Sequence, residues 1–260
     1  MKSNKVKKLS YVFRPKQFKC FILILLVPFS YLLPSSAGSN DILEVGKFSA
    51  SSIEDELPSN WESFAFKRIK KHTGYTLVKD NGIVVVKASS NRSASGLIRK
   101  IKIDLKKYPF ISWRWKISKI FSKGDITQKK GDDYPARIYI IFEDDVNEST
   151  FFKKAKKRAY RLLYSEDPPS GAINYIWASN APEGTIASNP YAIQSKMMVV
   201  QSGESGINTW VAEERNVYED YKEIFGNEPP MIAAVGIMTD TDDTEESALS
   251  FYGDIVFKSK

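Results

Sequence analysis

The sequence predicts a mainly β protein, an antiparallel β-sandwich of jelly-roll type with two short peripheral helices. Short segments rich in β-branched and aromatic residues recur along the chain, and clusters of Gly, Asn, Asp, Ser or Pro separate most of them. No regular helical crossovers intervene, which favours a sandwich over a βαβ fold. The predicted strands are Tyr75–Lys79, Ile83–Ala88, Gly96–Ile103, Phe110–Ile117, Ala136–Glu143, Ala172–Ala178, Lys196–Gln201, Trp210–Val217, Met231–Met238 and Leu249–Phe257.

The segment Phe110–Ile117 shows the alternation of apolar and polar residues most clearly. Because successive side chains of a strand point to opposite faces, Trp113 and Trp115 should face the core and Arg114 the other side.

Two segments have helical patterns. Glu148–Tyr164 has an apolar stripe and a strongly basic opposite face, which could lie on an anionic surface or simply be solvated on a helix packed against the sandwich. Tyr218–Phe225 is a shorter predicted helix that Gly226 can terminate.

Residues 1–37 have the order of a secretory signal peptide. A basic stretch without acids precedes the apolar run Phe21–Leu33, and the small residues Ser35, Ser36 and Ala37 follow. The run is thirteen residues long, shorter than the roughly 20 that a membrane-spanning helix needs. The sequence therefore predicts a signal peptide at 1–37 and a single domain at 38–260, exported to the periplasm or secreted. No membrane span would remain after cleavage, and a retained signal anchor is the alternative.

The net charge of the whole chain is +7, from 38 basic and 31 acidic residues. Seven of the basic residues lie in the predicted signal, so the remaining chain is nearly neutral, which argues against a nucleic-acid partner. The only cysteine, Cys20, lies in the same segment, so we expect no disulfide, thiolate metal site or cysteine nucleophile after it.

Charge is nevertheless unevenly distributed after residue 37. Residues 38–164 carry 26 basic and 15 acidic side chains, and residues 165–260 carry 5 and 16. Strands of the two halves could interleave and neutralise each other, or segregate and leave one face that favours anionic ligands such as acidic polysaccharide or lipid headgroups.

Several kinds of catalytic site are excluded by composition. His72 is the only histidine, so a multi-histidine zinc site is impossible, and no nucleophile elbow accompanies it. Neither a dinucleotide-binding glycine motif nor a P-loop follows a predicted strand.

Carboxylates are the remaining catalytic candidates. Asp132 and Asp133 lie at the start of a predicted strand that also carries Arg137. The two acids could hold a hard cation, share a proton, or form a structural ion pair with Arg137. Glu213, on another predicted strand, could oppose Asp133 across a groove, as a two-carboxylate glycosidase requires.

A second acidic loop follows the predicted strand Met231–Met238. Asp240, Asp242 and Asp243 could bind a structural calcium ion through oxygen ligands, although the glycine and closing glutamate of an EF-hand are missing. We expect no required cofactor.

A saccharide site would use the polar face of the sheet. Arg114, Arg137 and Tyr139 are the candidate ligand-binding residues, with Asp132 and Asp133 at the rim.

Aromatic side chains could stack on sugar rings. Trp113 and Trp115 are expected in the core, whereas Trp61 and Trp177, nearer strand ends or loops, are the better candidates for exposure, with Trp177 as a further ligand-binding residue.

The chain contains an ordered series of motifs: Pro58-Ser59-Asn60-Trp61, Ser93-Ala94-Ser95-Gly96-Leu97, Trp113-Arg114-Trp115-Lys116, Gly131-Asp132-Asp133-Tyr134-Pro135-Ala136-Arg137, Tyr175-Ile176-Trp177-Ala178, Asp220-Tyr221 and Met238-Thr239-Asp240-Thr241-Asp242-Asp243-Thr244. This series resembles the exported bacterial proteins grouped as domain of unknown function 3047. The resemblance spans nearly all of the chain after residue 37 and implies bacterial export and one globular domain, with no established activity or catalytic residues. The last predicted strand also looks like the final strand of jelly-roll carbohydrate-binding modules, which is an analogy of fold.

Three functional hypotheses follow. The first is a module that binds a polysaccharide or another cell-envelope component. The second is a carboxylate-dependent polysaccharide hydrolase or lyase that uses Asp132, Asp133 and Glu213. The third is a structural envelope protein without a small-molecule site. The sequence does not determine the oligomeric state.

Overall fold

Strands dominate the computed structural model, which describes residues 41–143 and 171–260. One α-helix, α1 (Val217–Phe225), lies in this part of the chain. The described strands are β1 (Ile42–Gly46), β2 (Glu62–Phe64), β3 (Gly74–Asp80), β4 (Ile83–Asn91), β5 (Ala94–Ile103), β6 (Phe110–Ile117), β7 (Arg137–Phe142), β8 (Ala172–Ala178), β9 (Ile186–Ser188), β10 (Ser195–Ser202), β11 (Val211–Asn216), β12 (Ile232–Asp240), β13 (Ser247–Tyr252) and β14 (Ile255–Lys258).

The strands form two seven-stranded sheets. Sheet A has the order β1-β14-β6-β13-β4-β3, with β11 on the free side of β6, and sheet B has the order β2-β5-β12-β7-β8-β10-β9. The chain passes repeatedly between the sheets, and every described strand pair except β8–β10 is antiparallel. The predicted antiparallel β-sandwich of jelly-roll type is therefore confirmed, with one parallel pair that the sequence did not indicate.

Both sheets turn alternate side chains inwards to form the main core, and a smaller apolar cluster includes Ile176 of β8 and Met197 of β10. On β6, Trp113 and Trp115 are buried as predicted. Trp113 stacks on Tyr175 of sheet B at 5.4 Å between ring centroids, and Trp115 lies 6.0 Å from Trp177. These ring pairs join the sheets directly, and truncation of such a buried aromatic side chain typically costs about 3–5 kcal/mol.

The predicted final strand is interrupted. The structure ends β13 at Tyr252 and starts β14 at Ile255, and both segments pair with the same side of β6. Asp254 fixes the break, because its carboxylate accepts hydrogen bonds from the Ser49 amide (2.8 Å) and hydroxyl (2.5 Å).

Helix α1 extends the predicted helix by one residue, to Val217. The Asn216 side chain caps its N-terminus, and Gly226 ends it in the left-handed conformation, at a φ of 75°, as predicted. The buried Asp220 accepts hydrogen bonds from the Tyr175 hydroxyl of sheet B (2.6 Å) and from Arg215 of sheet A (2.5 and 3.0 Å). The helix is thereby tied to both sheets.

The two oppositely charged halves of the chain interleave, since each contributes strands to both sheets. The described residues belong to a compact unit that spans Ser39–Lys260. Its one described helix is too short and too polar to cross a membrane. The predicted signal peptide, Cys20 and the predicted helix Glu148–Tyr164 lie outside the described residues.

Candidate functional site

Arg114 lies on the face of sheet A that is turned away from the core. Its guanidinium carbon is 4.5 Å from the centroid of the Trp210 ring, a cation–π geometry. Among the described residues, no hydrogen bond or ion pair engages the guanidinium nitrogens. Arg114 therefore keeps its five N–H donors for another partner.

Trp210 and Lys116 complete a group that we call the Arg114 platform, together with Asp80. The Asp80 carboxylate accepts hydrogen bonds from the Trp210 indole (2.6 Å) and from Lys116 Nζ (2.5 Å). The hydrogen bond from Lys116 is the main cause of the lowered pKa of Asp80, and burial opposes it. Asp80 thus neutralises the charge of Lys116 and holds the indole in place. The net charge of the platform is the single positive charge of Arg114.

Gly253, in the break between β13 and β14, makes room for Arg114. A methyl group at this position would lie 2.4 Å from Arg114 Nε and 2.5 Å from its Cγ. The Gly253 amide also donates to the Arg114 carbonyl oxygen at 2.9 Å. The absence of a side chain here is therefore what lets Arg114 lie along the sheet towards Trp210.

Arg137, the second predicted ligand-binding arginine, is only 2% exposed. It makes a bidentate ion pair with Asp240, in which Nε lies 3.0 Å from Oδ1 and Nη2 also bonds Oδ2. Nη2 donates to the Asp132 carbonyl at 2.5 Å, and the guanidinium lies 4.3 Å from the Tyr134 ring centroid. Burial is the largest influence on the pKa of Arg137 and lowers it, but Asp240, Tyr139 and Asp132 together outweigh burial and raise the pKa. Arg137 therefore belongs to a structural ion pair and is not accessible to a ligand.

Tyr139 belongs to the same network. Its hydroxyl accepts a hydrogen bond from Arg137 Nη1 at 3.4 Å, and burial raises its pKa to about 12. Arg114 is on sheet A and Arg137 and Tyr139 are on sheet B. The predicted common polar face is therefore not formed.

Four carboxylates lie beside Arg137 and form what we call the acidic cluster: Asp132, Asp133, Asp242 and Asp243. Asp132 and Asp133 are 3% and 1% exposed, and Asp242 and Asp243 are half-buried. Burial raises the pKa of Asp132 to about 6, although Arg137 lowers it, and burial together with Asp133 raises that of Asp242 to about 6. The acidic cluster therefore contains more carboxylates than the neighbouring Arg137 can neutralise.

The structure changes the predicted set of metal ligands. Asp240 does not lie free for a metal, because Arg137 and the Tyr134 amide occupy its carboxylate. The described carboxylates that can converge on one ion are Asp133, Asp242 and Asp243, whose oxygens lie within 4.8 Å of one another. Of the three predicted calcium ligands, Asp242 and Asp243 thus lie beside Asp133, whereas the carboxylate of Asp240 is engaged by Arg137. A contact between positions 133 and 242 is long-range, so the spacing in the loop could not reveal it.

Tyr191 and Asn189 border the acidic cluster. The Tyr191 hydroxyl donates to Asp243 Oδ1 at 2.6 Å, while its side chain is 49% exposed. Asn189 donates to Asp132 Oδ2 at 3.1 Å. Neither residue stood out in the sequence, because both lie in a loop without a recognisable pattern.

Glu213 is on β11, opposite Trp113, and not beside the acidic cluster. Burial raises its pKa to about 7 against the lowering effect of the Trp115 indole, and its Oε1 atom has no hydrogen-bond partner. No described hydrogen bond or electrostatic interaction connects it to Asp132 or Asp133. The opposition of Glu213 and Asp133 across a groove stays a prediction.

Trp177 and Trp61 are core residues, so their predicted exposure is wrong. Trp177 is completely buried and its indole donates to the Gly203 carbonyl at 3.1 Å; Trp61 is 6% exposed and packs edge-on against Phe48. β8 is buried on both faces, so its end is not a surface. Trp177 cannot stack on a ligand.

A pocket of about 190 Å³ lies between β2, β3 and β5 and contains His72 and Tyr75. Its volume is below the roughly 300 Å³ at which ordinary ligand pockets begin. The Tyr75 hydroxyl donates to the Ser95 carbonyl at 2.6 Å, and His72 Nε2 is bonded to the Ile69 carbonyl at 3.1 Å. These polar groups are engaged within the protein.

Comparison with known families matches residues 59–256 to a family described as a protein of unknown function, DUF3047. The chain belongs to this family. The resemblance inferred from the ordered motifs is thus confirmed over most of the chain. No curated protein matches the sequence significantly.

Solved structures resemble the chain only distantly. They include the carbohydrate recognition domain of Emp47p (12% identity, 86% of this chain and 98% of that chain, TM-score 0.41). Endoglucanase 3 of family GH12 from Trichoderma harzianum matches at 9% identity, over 76% of this chain and 97% of that chain, with a TM-score of 0.38. A cellulase derived from Cel12A of Rhodothermus marinus matches at 12% identity, over 85% and 100%, with a TM-score of 0.37. Likeness of this degree assigns no ligand to this chain.

Proposed function

We propose that the protein binds an acidic glycan through the Arg114 platform. The observation that carries the proposal is the guanidinium of Arg114, which stacks on Trp210 and forms no hydrogen bond or close ion pair with an acid among the described residues, although its charge is felt by Asp80. A planar guanidinium can bind a carboxylate, sulfate or phosphate group through two parallel hydrogen bonds.

The rest of the platform suits such a ligand. Trp210 offers apolar ring surface for the C–H face of a sugar, and the hydrogen bond to Asp80 fixes its orientation. Lys116 adds a second positive charge beside the ring, at 5.2 Å from its centroid. Because Lys116 and Asp80 cancel each other, the platform as a whole carries the charge of Arg114 and favours an anion.

The predicted export signal would bring the protein to a compartment where acidic polysaccharides of the cell envelope are available. We therefore propose an exported protein, periplasmic or secreted, whose partner is an acidic polysaccharide or a related envelope component.

Titration calorimetry of the purified protein with acidic and neutral oligosaccharides tests the proposal. We expect binding of acidic oligosaccharides only, with an affinity that falls as the salt concentration rises, because the interaction is electrostatic and solvent-exposed. Arg114→Ala should weaken binding at least tenfold, which corresponds to about 1.4 kcal/mol.

Arg92→Ala is the matched control, since Arg92 is exposed, lies at another part of the surface, and removes the same charge. It should bind like the wild type. The proposal fails if no acidic oligosaccharide binds at millimolar concentration, or if Arg114→Ala binds as tightly as the wild type.

A further inference from the structure

We infer that Asp133, Asp242 and Asp243 form a calcium site at the end of the sandwich. One oxygen from each carboxylate lies within 4.8 Å of the others. Calcium–oxygen distances are about 2.3–2.6 Å, so two oxygens bound to one ion can be up to roughly 5 Å apart. A single ion can therefore reach all three residues.

Asp133 provides an observation that is independent of this proximity. Its side chain is 99% buried, and Thr244 holds Oδ2 through its amide (2.6 Å) and its hydroxyl (2.7 Å). The other oxygen, Oδ1, has no hydrogen-bond partner. Buried carboxylate oxygens without a partner are costly, and coordination of a cation would satisfy this one.

The neighbouring cation does not serve this group. Arg137 is committed to Asp240 through two hydrogen bonds and to the Asp132 backbone carbonyl through a third. Among the described carboxylates of the acidic cluster it comes within 4 Å of Asp132 alone, at 3.9 Å, and its charge acts on Asp242 and Asp243 only from farther away. A divalent cation would supply the missing positive charge beside Asp133.

Asp242 and Asp243 are also available as ligands. Within the described chain, no other residue donates a hydrogen bond to the Asp242 carboxylate. Asp243 accepts one hydrogen bond, from Tyr191 to Oδ1, which leaves its other oxygen free. Both side chains are half-buried, so water can complete the coordination sphere on the solvent side.

The chemistry of the ligands selects the ion. Three carboxylates and no nitrogen or sulfur form a site for a hard cation. Calcium accepts six to eight oxygens in flexible geometry, whereas magnesium needs a near-ideal octahedron at 2.0–2.1 Å and keeps most of its water. A site made by two separate loops, with one deeply buried and two half-exposed acids, therefore suits calcium better than magnesium.

The inference does not depend on glycan binding, because the Arg114 platform is on sheet A and none of its residues belongs to the acidic cluster. Calcium would cross-link the segment before β7 to the loop after β12, which we expect to stabilise the folded state by mass action.

Calorimetry and thermal unfolding of the full chain, freed of metal with a chelator, test the site without any glycan. We expect calcium chloride to bind with a stoichiometry of one and to raise the melting temperature, and magnesium chloride to bind at least tenfold more weakly. Terbium should replace calcium and give luminescence sensitised by Tyr191, whose hydroxyl touches Asp243.

Asp242→Asn with Asp243→Asn should lower calcium affinity at least tenfold, whereas Glu245→Gln, which removes one exposed acid from the same loop, should leave it unchanged. Weak calcium sites of extracellular proteins have dissociation constants of about 1 mM. The inference is overturned if the wild type shows neither a heat of binding nor a thermal shift at calcium concentrations 5–10-fold above about 1 mM. It is also overturned if the double variant binds calcium like the wild type, or if magnesium binds equally well. Should the double variant fail to fold, the comparison of calcium with magnesium on the wild type decides.

Discussion

Arg114 and Arg137 have equivalent positions in the alternating patterns of their strands, but they differ in how much they contribute to the stability of the fold. Each is a polar residue on an alternating strand and points away from the core. Arg137 is 2% exposed and gives its donors to Asp240, Asp132 and Tyr139. Arg114 is partly exposed, lies against the Trp210 ring and Gly253, and forms no hydrogen bond through its guanidinium with the described residues. Alternation determines the face of a sheet, but the loops that cover that face determine whether an arginine stabilises the fold or meets a ligand.

The largest expected effect is at the covered arginine. Arg137→Leu should lower the free energy of unfolding by about 3–5 kcal/mol, because it leaves the buried Asp240 carboxylate without its partner. Urea unfolding checks this value. Arg137→Leu combined with Asp240→Leu should recover part of the loss, since no buried charge then remains unpaired. A loss below 1 kcal/mol in the single variant would contradict the structural role.

Glu213, a half-buried carboxyl group whose Oε1 atom has no hydrogen-bond partner, sharpens the comparison. The pKa of Glu213 is about 7 in the folded protein against 4.5 for an ordinary glutamate, so the folded state binds more protons than the unfolded state between these values. Stability should therefore fall as the pH rises from 4.5 to 7. Glu213→Gln should stabilise the protein at pH 8 by about 1–2 kcal/mol, allowing for solvent screening, and flatten this pH dependence. Thermal unfolding between pH 4 and 8 measures both, and an unchanged pH profile would contradict the assignment.

The open arginine should matter little for stability. Arg114→Ala loses an exposed cation–π contact of about 0.5–1 kcal/mol, so its urea midpoint should stay close to that of the wild type while glycan affinity falls. A loss as large as that of Arg137→Leu would erase the distinction between the two arginines.

The smallest expected change in stability tests the position of Arg114 without removing it. Gly253→Ala places a methyl group 2.4 Å from Arg114 Nε, and the flexible side chain must move off Trp210. We expect a change below about 1 kcal/mol, because the displaced atoms belong to a partly exposed side chain. Glycan affinity, measured by calorimetry, should fall severalfold. Gly82→Ala cannot serve as the control because of its positive φ, whereas Gly74→Ala meets only one atom, at 3.9 Å, and should bind normally.

Local patterns predicted the strands and the inward side of β6 well. Phe110–Ile117 and Ala172–Ala178 have the predicted bounds, because a strand with β-branched and aromatic residues needs no distant information to be recognised. The short strands β1, β2 and β9 were not predicted, since they owe their pairing to neighbours that are far away in the sequence.

The candidate site was less predictable, because its decisive contacts are long-range. Asp240 lies 103 positions from Arg137, and Trp210 lies 130 positions from Asp80. Arg114 was predicted as a binding residue and is partly exposed. Its contact with Trp210 was not predicted, because the two residues lie 96 positions apart in the sequence. Trp177 was misjudged because β8 is covered on both faces and shows no alternation.

The position of β14 has a consequence for the order in which the chain can fold. β14 consists of nearly the last residues of the sequence, and it lies between β1 and β6 in sheet A. Until it is synthesised, β1 has no partner and one edge of β6 is incomplete. Long-range pairing of this kind delays folding. Sheet A would thus remain incompletely formed until β14 is available to pair with β1 on one side and β6 on the other.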